Sequence, residues 1–294
     1  MSSFLSFLIN GISLGSVYAI IALGYTMVYG IAKMLNFAHG DIIMVGGYVV
    51  FVCVSMYGLP GWVAILASVA VCTVLGVTIE RIAYKPLRGA SSLSVLITAI
   101  GVSYFLQNAA LIIFGADTKS FNSVVDFPSI TLMDGKIVIS DETIVTILTC
   151  ILVMICLTTF INKTKTGQAM LAVSADKGAA TLMGINVNRT IAVTFAIGSG
   201  LAAIAGVLLC SSYPVLSSTT GSMPGIKAFT AAVFGGIGSI PGAMIGGILL
   251  GVIENLSKAY ISSQLSDPIV FGILIILLLF KPSGLMGKQI QEKV

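Results

Sequence analysis

Apolar runs of bilayer-spanning length, each closed by a short polar turn, recur along this chain from end to end. The clear runs cover residues 4–29, 41–57, 61–82, 92–114, 143–162, 190–211, 241–261 and 267–280. A helix crossing about 30 Å of hydrocarbon needs roughly 20 mostly apolar residues. The runs are continuous and rich in Ile, Leu, Val, Ala and Gly, without the short alternating segments of a membrane β-barrel. The pattern predicts an all-α, polytopic helical membrane protein with about eight long transmembrane helices plus one short discontinuous segment.

That segment is 225–239, GIKAFTAAVFGGIGS, too short for a full crossing and ending in Gly235, Gly236 and Gly238 before Pro241 and Gly242. It reads as a half-helix running into irregular backbone, which at membrane depth is tolerated only when buried in protein or lining a cavity. The other reading is a short surface helix with a Gly-Pro loop. Loop charge bears on the choice, because cytoplasmic loops carry the excess of Lys and Arg. Residues 162–189 hold Lys163, Lys165, Lys177 and Arg189 against Asp176, and are expected inside. Residues 115–142 hold Asp117, Asp126, Asp134, Asp141 and Glu142 against Lys119 and Lys136, and are expected to be extracytoplasmic. Arg81, Lys85 and Arg88 fall inside by the same count, as do Lys281, Lys288 and Lys293. The N-terminus is then outside and the C-terminus inside, which requires an odd number of crossings. Residues 225–242 supply the crossing that the eight clear runs lack. No basic residue precedes the first run and no short-residue cleavage pattern follows it, so it is expected to be a retained span. The whole chain, 1–294, is expected to be one transmembrane domain.

Composition sharpens the class. Of 294 residues, 57% are hydrophobic and 9% charged, whereas a soluble domain carries about 25% charged residues. The net charge of +4 follows from loop charging and points to the lipid bilayer, with no nucleic acid as partner. Cysteines 53, 72, 150, 156 and 210 all fall in apolar runs with no C-x-x-C pair, and read as small buried hydrophobes. There is no G-x-x-x-x-G-K-[ST], so no P-loop for ATP. One histidine builds no His-rich metal site, and no pair of acids stands at catalytic spacing. No enzymatic, cofactor or metal site is expected, and any energy for transport must come from a partner or an ion gradient.

The polar residues that remain are few. Asn36, His39, Gly40 and Asp41 form a short turn between two apolar runs, flanked by Gly30, Gly46 and Gly47. They gate or contact a partner at the inner mouth, or else Asn36 or Asp41 caps a helix start with His39 at headgroup level. Glu254 is an acid inside a span, by default a functional candidate. It is the ion-coupled acid of a secondary carrier, or the i, i+4 partner of Lys258. Gln107 and Asn108 are expected to bond between helices, with pore lining as the alternative. Glycines at four-residue spacing (Gly11/Gly15, Gly238/Gly242, Gly242/Gly246, Gly247/Gly251) allow close helix packing. In the inner loop, Gln168–Leu182 is expected to be one helix with Gly184 at its C-cap. Such a helix docks in a partner's groove or lies on lipid, and its weakly basic polar face favours the partner. Gly235, Gly236, Gly238, Pro241 and Gly242 are expected to border the translocation path together with 24–48.

Four stretches carry a resemblance: GYTMVYGIAKMLNFAHGDIIMVGGY (24–48), IERIAYKPLR (79–88), SADKGAATLMGINVNRTIAVTFAIGSGLAAIAGVLL (174–209) and KAFTAAVFGGIGSIPGAMIGGILLGVIENLSKAY (227–260). In that order they resemble permeases of the LivH type, from ATP-driven importers of branched-chain amino acids. The resemblance implies a bacterial cytoplasmic-membrane importer with a second, LivM-like permease, two ABC ATPase subunits and an extracytoplasmic substrate-binding protein. It implies a coupling helix at 174–188, with Ala175, Asp176, Ala179, Ala180 and Gly184 as ATPase-contacting candidates. Ala179, Ala180 and Gly184 match the A-A-x-x-x-G part of the importer docking motif. Gly178 stands where that motif has Glu, and its downstream Leu-Pro is absent. Urea and short-amide permeases share the superfamily, which leaves them as alternative substrates.

Overall fold

The computed structural model describes residues 2–120, 123–124, 129–132 and 137–287. Asp126, Asp134, Lys136, Lys288 and Lys293, counted above for loop charge, lie outside the described residues. The helices run α1 (Ser2–Ala32), α2 (His39–Phe51), α3 (Gly61–Ile79), α4 (Ser92–Phe114), α5 (Asp141–Lys163) and α6 (Lys165–Ala175). They continue with α7 (Lys177–Leu182), α8 (Val187–Ser212), α9 (Ser222–Gly235), α10 (Ile240–Tyr260) and α11 (Ser266–Phe280). π-helical turns extend α2 through Met56 and α3 through Tyr84. Among the described residues four short strands lie in loops: β1 (Lys119–Ser120) pairs antiparallel with β4 (Val215–Leu216), and β2 (Ile130–Leu132) with β3 (Ile137–Ile139).

Seven of these helices, α1 to α5, α8 and α10, are long and apolar enough to cross a bilayer. The chain is a polytopic helical membrane protein. The eighth expected span, 267–280, is present as α11, shorter than the other seven at 15 residues, about 22 Å at ~1.5 Å per residue. Asp267 at its start and Pro282 beyond its end bound the apolar run.

The centre of the fold is a backbone-close pairing of α1 with α10. A Cβ on Gly15 would sit 2.6 Å from Ile248 Cα, and one on Gly11 2.9 Å from Val252 Cα. Only helices stripped of side chains at the crossing approach this closely, and the gain is dispersion contact rather than water release. α8 is buried on most faces behind this pair, whereas α3, α4 and α5 turn Leu66, Phe105, Ile112 and Leu152 outward. Cys156 is also exposed on α5, unlike the expectation for all five cysteines, because it shares that outward face. Pairing of β1 with β4 brings the segments after α4 and after α8 to one end of the bundle. At the other end Lys177 donates to Ala32 O at 2.9 Å, and Arg88 joins Glu80 to Asn188.

Candidate translocation path and coupling surface

Asn36, His39, Gly40 and Asp41 come together at the start of α2, buried and away from any surface turn. α1 ends at Ala32, Lys33 adopts φ 58°, a left-handed conformation uncommon outside glycine, and the chain turns back into the protein. His39 packs its ring on Tyr25 with centroids 4.6 Å apart. It also abuts Gly24, eight residues and thus ~12 Å before the end of α1. α2 therefore begins in the interior. The cap and headgroup reading is corrected: the N-cap position of α2 is Ala38, with no side-chain bond. Instead Asn36 Oδ1 accepts from Tyr84 OH and Asp41 Oδ1 from Gln107 Nε2, both at 2.8 Å. Buried polar groups must find protein partners where water is excluded, so these side chains bond across to other helices. Gln107 also reaches Ser222 on α9 at 3.2 Å, an interhelical role. Asn108 does not share it; its amide donates to Tyr104 O within α4. Gly40 lets the starts of α2 and α9 meet, because a Cβ there would lie 2.7 Å from Gly221 O.

The broken segment has the anticipated form, starting three residues early at Ser222 and buried rather than superficial. α9 is 14 residues long and stops at Gly235. Gly236 (φ 106°) and Gly238 (φ 93°) then turn the chain through left-handed conformations that glycine adopts without a Cβ penalty. Ser239 Oγ caps α10 by accepting from Gly242 N, and Pro241 sits in the first turn, where a missing N–H is harmless. Gly235 and Gly242 touch backbone to backbone. Gly238 lies in the turn, its Cα 3.4 Å from where a Cβ on Gly30 of α1 would stand, while a Cβ on Gly238 itself meets nothing within 4 Å. It lines a cavity of 160 Å³ shared with Gly30, Lys33, Met170, Leu171 and Ser174. The C-terminal segment covers this turn, with Leu285 N on Phe234 O and Met286 N on Gly235 O, each at 2.9 Å. The 24–48 stretch thus meets both ends of α9, Gly40 at its start and Gly30 and Lys33 at the Gly238 turn, with Tyr25 edge-on and Phe37 tilted against Phe229 between them.

An ion cluster joins α9, α10 and α11, and most of it went unread in the sequence. Glu254, 1% exposed, accepts at Oε1 from Lys227 Nζ (2.8 Å) and Lys258 Nζ (2.5 Å), and at Oε2 from Tyr18 OH (2.9 Å). Lys227 also pairs with Asp267 at 2.7 Å. The expected Glu254–Lys258 pair is present, but as one arm of a larger network. The signal was available: Lys227 and Glu254 are the sole charged residues between Arg189 and Lys258. Two opposite charges isolated in apolar surroundings call for each other. Lys227, Glu254 and Lys258 form one wall of a cavity of 230 Å³.

The inner loop folds as two helices, correcting the single helix expected over Gln168–Leu182. Asp176 breaks it: its carboxylate accepts from Gly178 N (2.7 Å) and Ala179 N (3.0 Å), the N-cap bonding that starts α7. Gly184 (φ 80°) ends α7, with Gly184 N on Thr181 O and Ile185 N on Ala180 O, a Schellman closure. Ala175, Asp176, Ala179 and Gly184 are exposed, but Ala180 is buried, so it faces its own protein. The exposed tip is carried by Leu182 (90% exposed), which the helix pattern counts on its apolar face, and by Met183 (82%), which lies beyond that pattern. Lys177 anchors α7 to the end of α1. Burial, together with the nearby Arg88 and Lys33 charges, lowers its pKa from the usual lysine range. Among the described residues no cluster of His, Cys, Asp and Glu is arranged to hold a metal.

The family described as "branched-chain amino acid transport system / permease component" matches residues 7–279. The high-affinity branched-chain amino acid transport system permease protein BraD of Pseudomonas aeruginosa is 45% identical over 302 residues, covering 99% of this chain and 98% of the relative. The corresponding LivH of Escherichia coli K12 is 44% identical over 301 residues, with the same coverages. A probable branched-chain amino acid transport permease of Methanocaldococcus jannaschii is 28% identical, across 91% of this chain and 88% of its own. With a match running from within α1 to the last turn of α11, the chain belongs to the family of branched-chain amino acid transport system permeases.

Proposed function

We propose that this protein is one of two different permease subunits of an ATP-driven importer for leucine, isoleucine and valine in a bacterial cytoplasmic membrane. A binding protein delivers the substrate at the β1–β4 end, and two ATPase subunits act at the α6–α7 end. The observation that carries this reading is 44–45% identity, end to end, with permeases named for branched-chain amino acids. In this reading the ATPases grip the tip formed by Ala179, Leu182 and Met183. Their motion passes along α7 and α6 to Met170, Leu171 and Ser174, which share a cavity with Gly238. The Gly236–Ser239 turn then yields, and α9 shifts against Gly40, Tyr25 and Phe37. Gly235, Gly236, Gly238, Pro241 and Gly242 form the hinge of the path, and Asn36, His39, Gly40 and Asp41 form the packed block beyond it. Glu254 is held by three donors, which suits a fixed charge better than the titrating acid of a secondary carrier.

The test is uptake of labelled leucine into proteoliposomes holding both permeases, with ATPases, binding protein and ATP. Uptake should need every component. Leucine accumulation by this chain alone, driven by an ion gradient, would overturn the proposal.

A further inference from the structure

The ion cluster borders a cavity lined by α1, α8, α9, α10 and the loop that carries β4. We propose that the 230 Å³ cavity beside Lys227, Glu254 and Lys258 is a subsite for an aliphatic amino acid, with the α-carboxylate held by the two lysines. This deepens the importer reading and rests on it for the choice of ligand.

Charge is the first argument. Two ammonium groups and one carboxylate stand on the cavity wall. Asp267, which pairs with Lys227 at 2.7 Å, does not line the cavity. The cluster as a whole is neutral, two lysines against two carboxylates; what the wall offers an entering carboxylate is the two ammonium groups, which outnumber the one carboxylate on the cavity side. Donor capacity is the second. An ammonium group has three N–H donors; Lys258 directs one at Glu254, and Lys227 directs one each at Glu254 and Asp267. Both lysines retain donors for a ligand. Lys258, 37% exposed, is the less buried of the two. Shape is the third. Leu14, Leu209, Met223 and Pro224 supply an apolar wall for a branched side chain. Tyr213 and Thr220 line the same space; Thr220 Oγ1 already accepts from Ser217 N, which leaves the Tyr213 hydroxyl as the acceptor for the ligand's ammonium group. Position is the fourth. Tyr213, Val215 and Thr220 belong to the loop that carries β4, at the bundle end opposite α6 and α7. The subsite thus opens where substrate arrives, ahead of the packed block at Gly40.

The permease–ATPase complex in nanodiscs, without binding protein, tests this by saturation-transfer NMR of leucine. The expected result is a leucine signal displaced by 4-methylpentanoate, which keeps the carboxylate, and not by leucinamide, which lacks it. Lys258→Gln leaves the Lys227–Glu254–Asp267 bridge in place, so the fold is retained. It should weaken leucine binding about tenfold, the equivalent of one charge-assisted hydrogen bond. Lys227→Met should abolish binding; if it does not assemble, Lys258→Gln decides alone. Equal displacement by leucinamide, or unchanged leucine affinity in Lys258→Gln, overturns the subsite. Absence of leucine binding by the unmodified complex also overturns it. In that case ATP-driven uptake by the complete system still supports the importer reading, so the two claims fail separately.

Discussion

One methyl group at Gly15 tests whether the α1–α10 crossing holds the bundle together. An added Cβ would sit 2.6 Å from Ile248 Cα and 2.7 Å from Ile248 O, where real Cβ contacts stay beyond about 3.0 Å. Both are helix backbone atoms, so no side-chain rotation relieves the overlap and the helices must part. The same seam includes Gly11 against Val252 and Gly247 against Ala19, so separation at Gly15 loosens contacts on either side. Overpacking of this kind costs about 1–3 kcal/mol. Replacing glycine by alanine inside a helix returns roughly 0.5–1 kcal/mol, leaving Gly15→Ala destabilised by up to about 2.5 kcal/mol. Gly101 provides the control. It lies in α4, exposed, with nothing within 4 Å of an added Cβ, so Gly101→Ala keeps only the gain. The two substitutions are chemically identical and should differ in sign. The assay is thermal unfolding of the purified permease in detergent, followed by the monodisperse fraction on size exclusion. Gly15→Ala should lower the midpoint, while Gly101→Ala should leave it unchanged or raise it. Equal midpoints for the two variants would refute the backbone-contact argument.

Three further outcomes are expected. Single cysteines at Ser123 and Lys165, in a background without the native cysteines, should label from opposite sides of the membrane; labelling from one side contradicts the topology. Glu254→Gln strips one acceptor from three donors and should cost about 3–5 kcal/mol, as breaking a buried pair does. Lys258→Gln at the half-open edge should cost about 0–1 kcal/mol, and thermal unfolding that ranks them the other way refutes the network. At the cytoplasmic tip, Leu182→Glu should leave the permease folded while abolishing substrate-stimulated ATP hydrolysis in the reconstituted complex. Ala180→Trp should damage the permease itself because Ala180 is buried; a stable Ala180→Trp protein with uncoupled ATPases would reverse the two assignments.

What was legible in the sequence was what acts locally or by accumulation. A long apolar run becomes a spanning helix because every residue contributes the same sign, and a few polar positions do not change the sum. The break at 235–242 was readable because Gly236 and Gly238 sit where positive φ is needed, a property of the residue alone. The misread positions depend on partners far along the chain. Asn36 and Asp41 look like a surface turn until Tyr84, 48 residues on, and Gln107, 66 residues on, supply their bonds. Hydropathy registers that such groups are polar, but not whether water or protein satisfies them. The single helix assigned over 168–182 failed for a different reason. The cap signal is local, Asp176 just ahead of a short helical run, but apolar periodicity continues across it and does not register a carboxylate that accepts from two backbone amides. Lys227 lies between these cases. Its partner Glu254 is 27 residues away across a helix, a turn and most of another helix, beyond any spacing rule. Yet the apolar stretch around both leaves each no other opposite charge between Arg189 and Lys258. In a membrane segment, scarcity itself identifies the pair: an unpaired charge there is too costly to keep, so two lone charges of opposite sign are best read first as contacts and only then as chemistry.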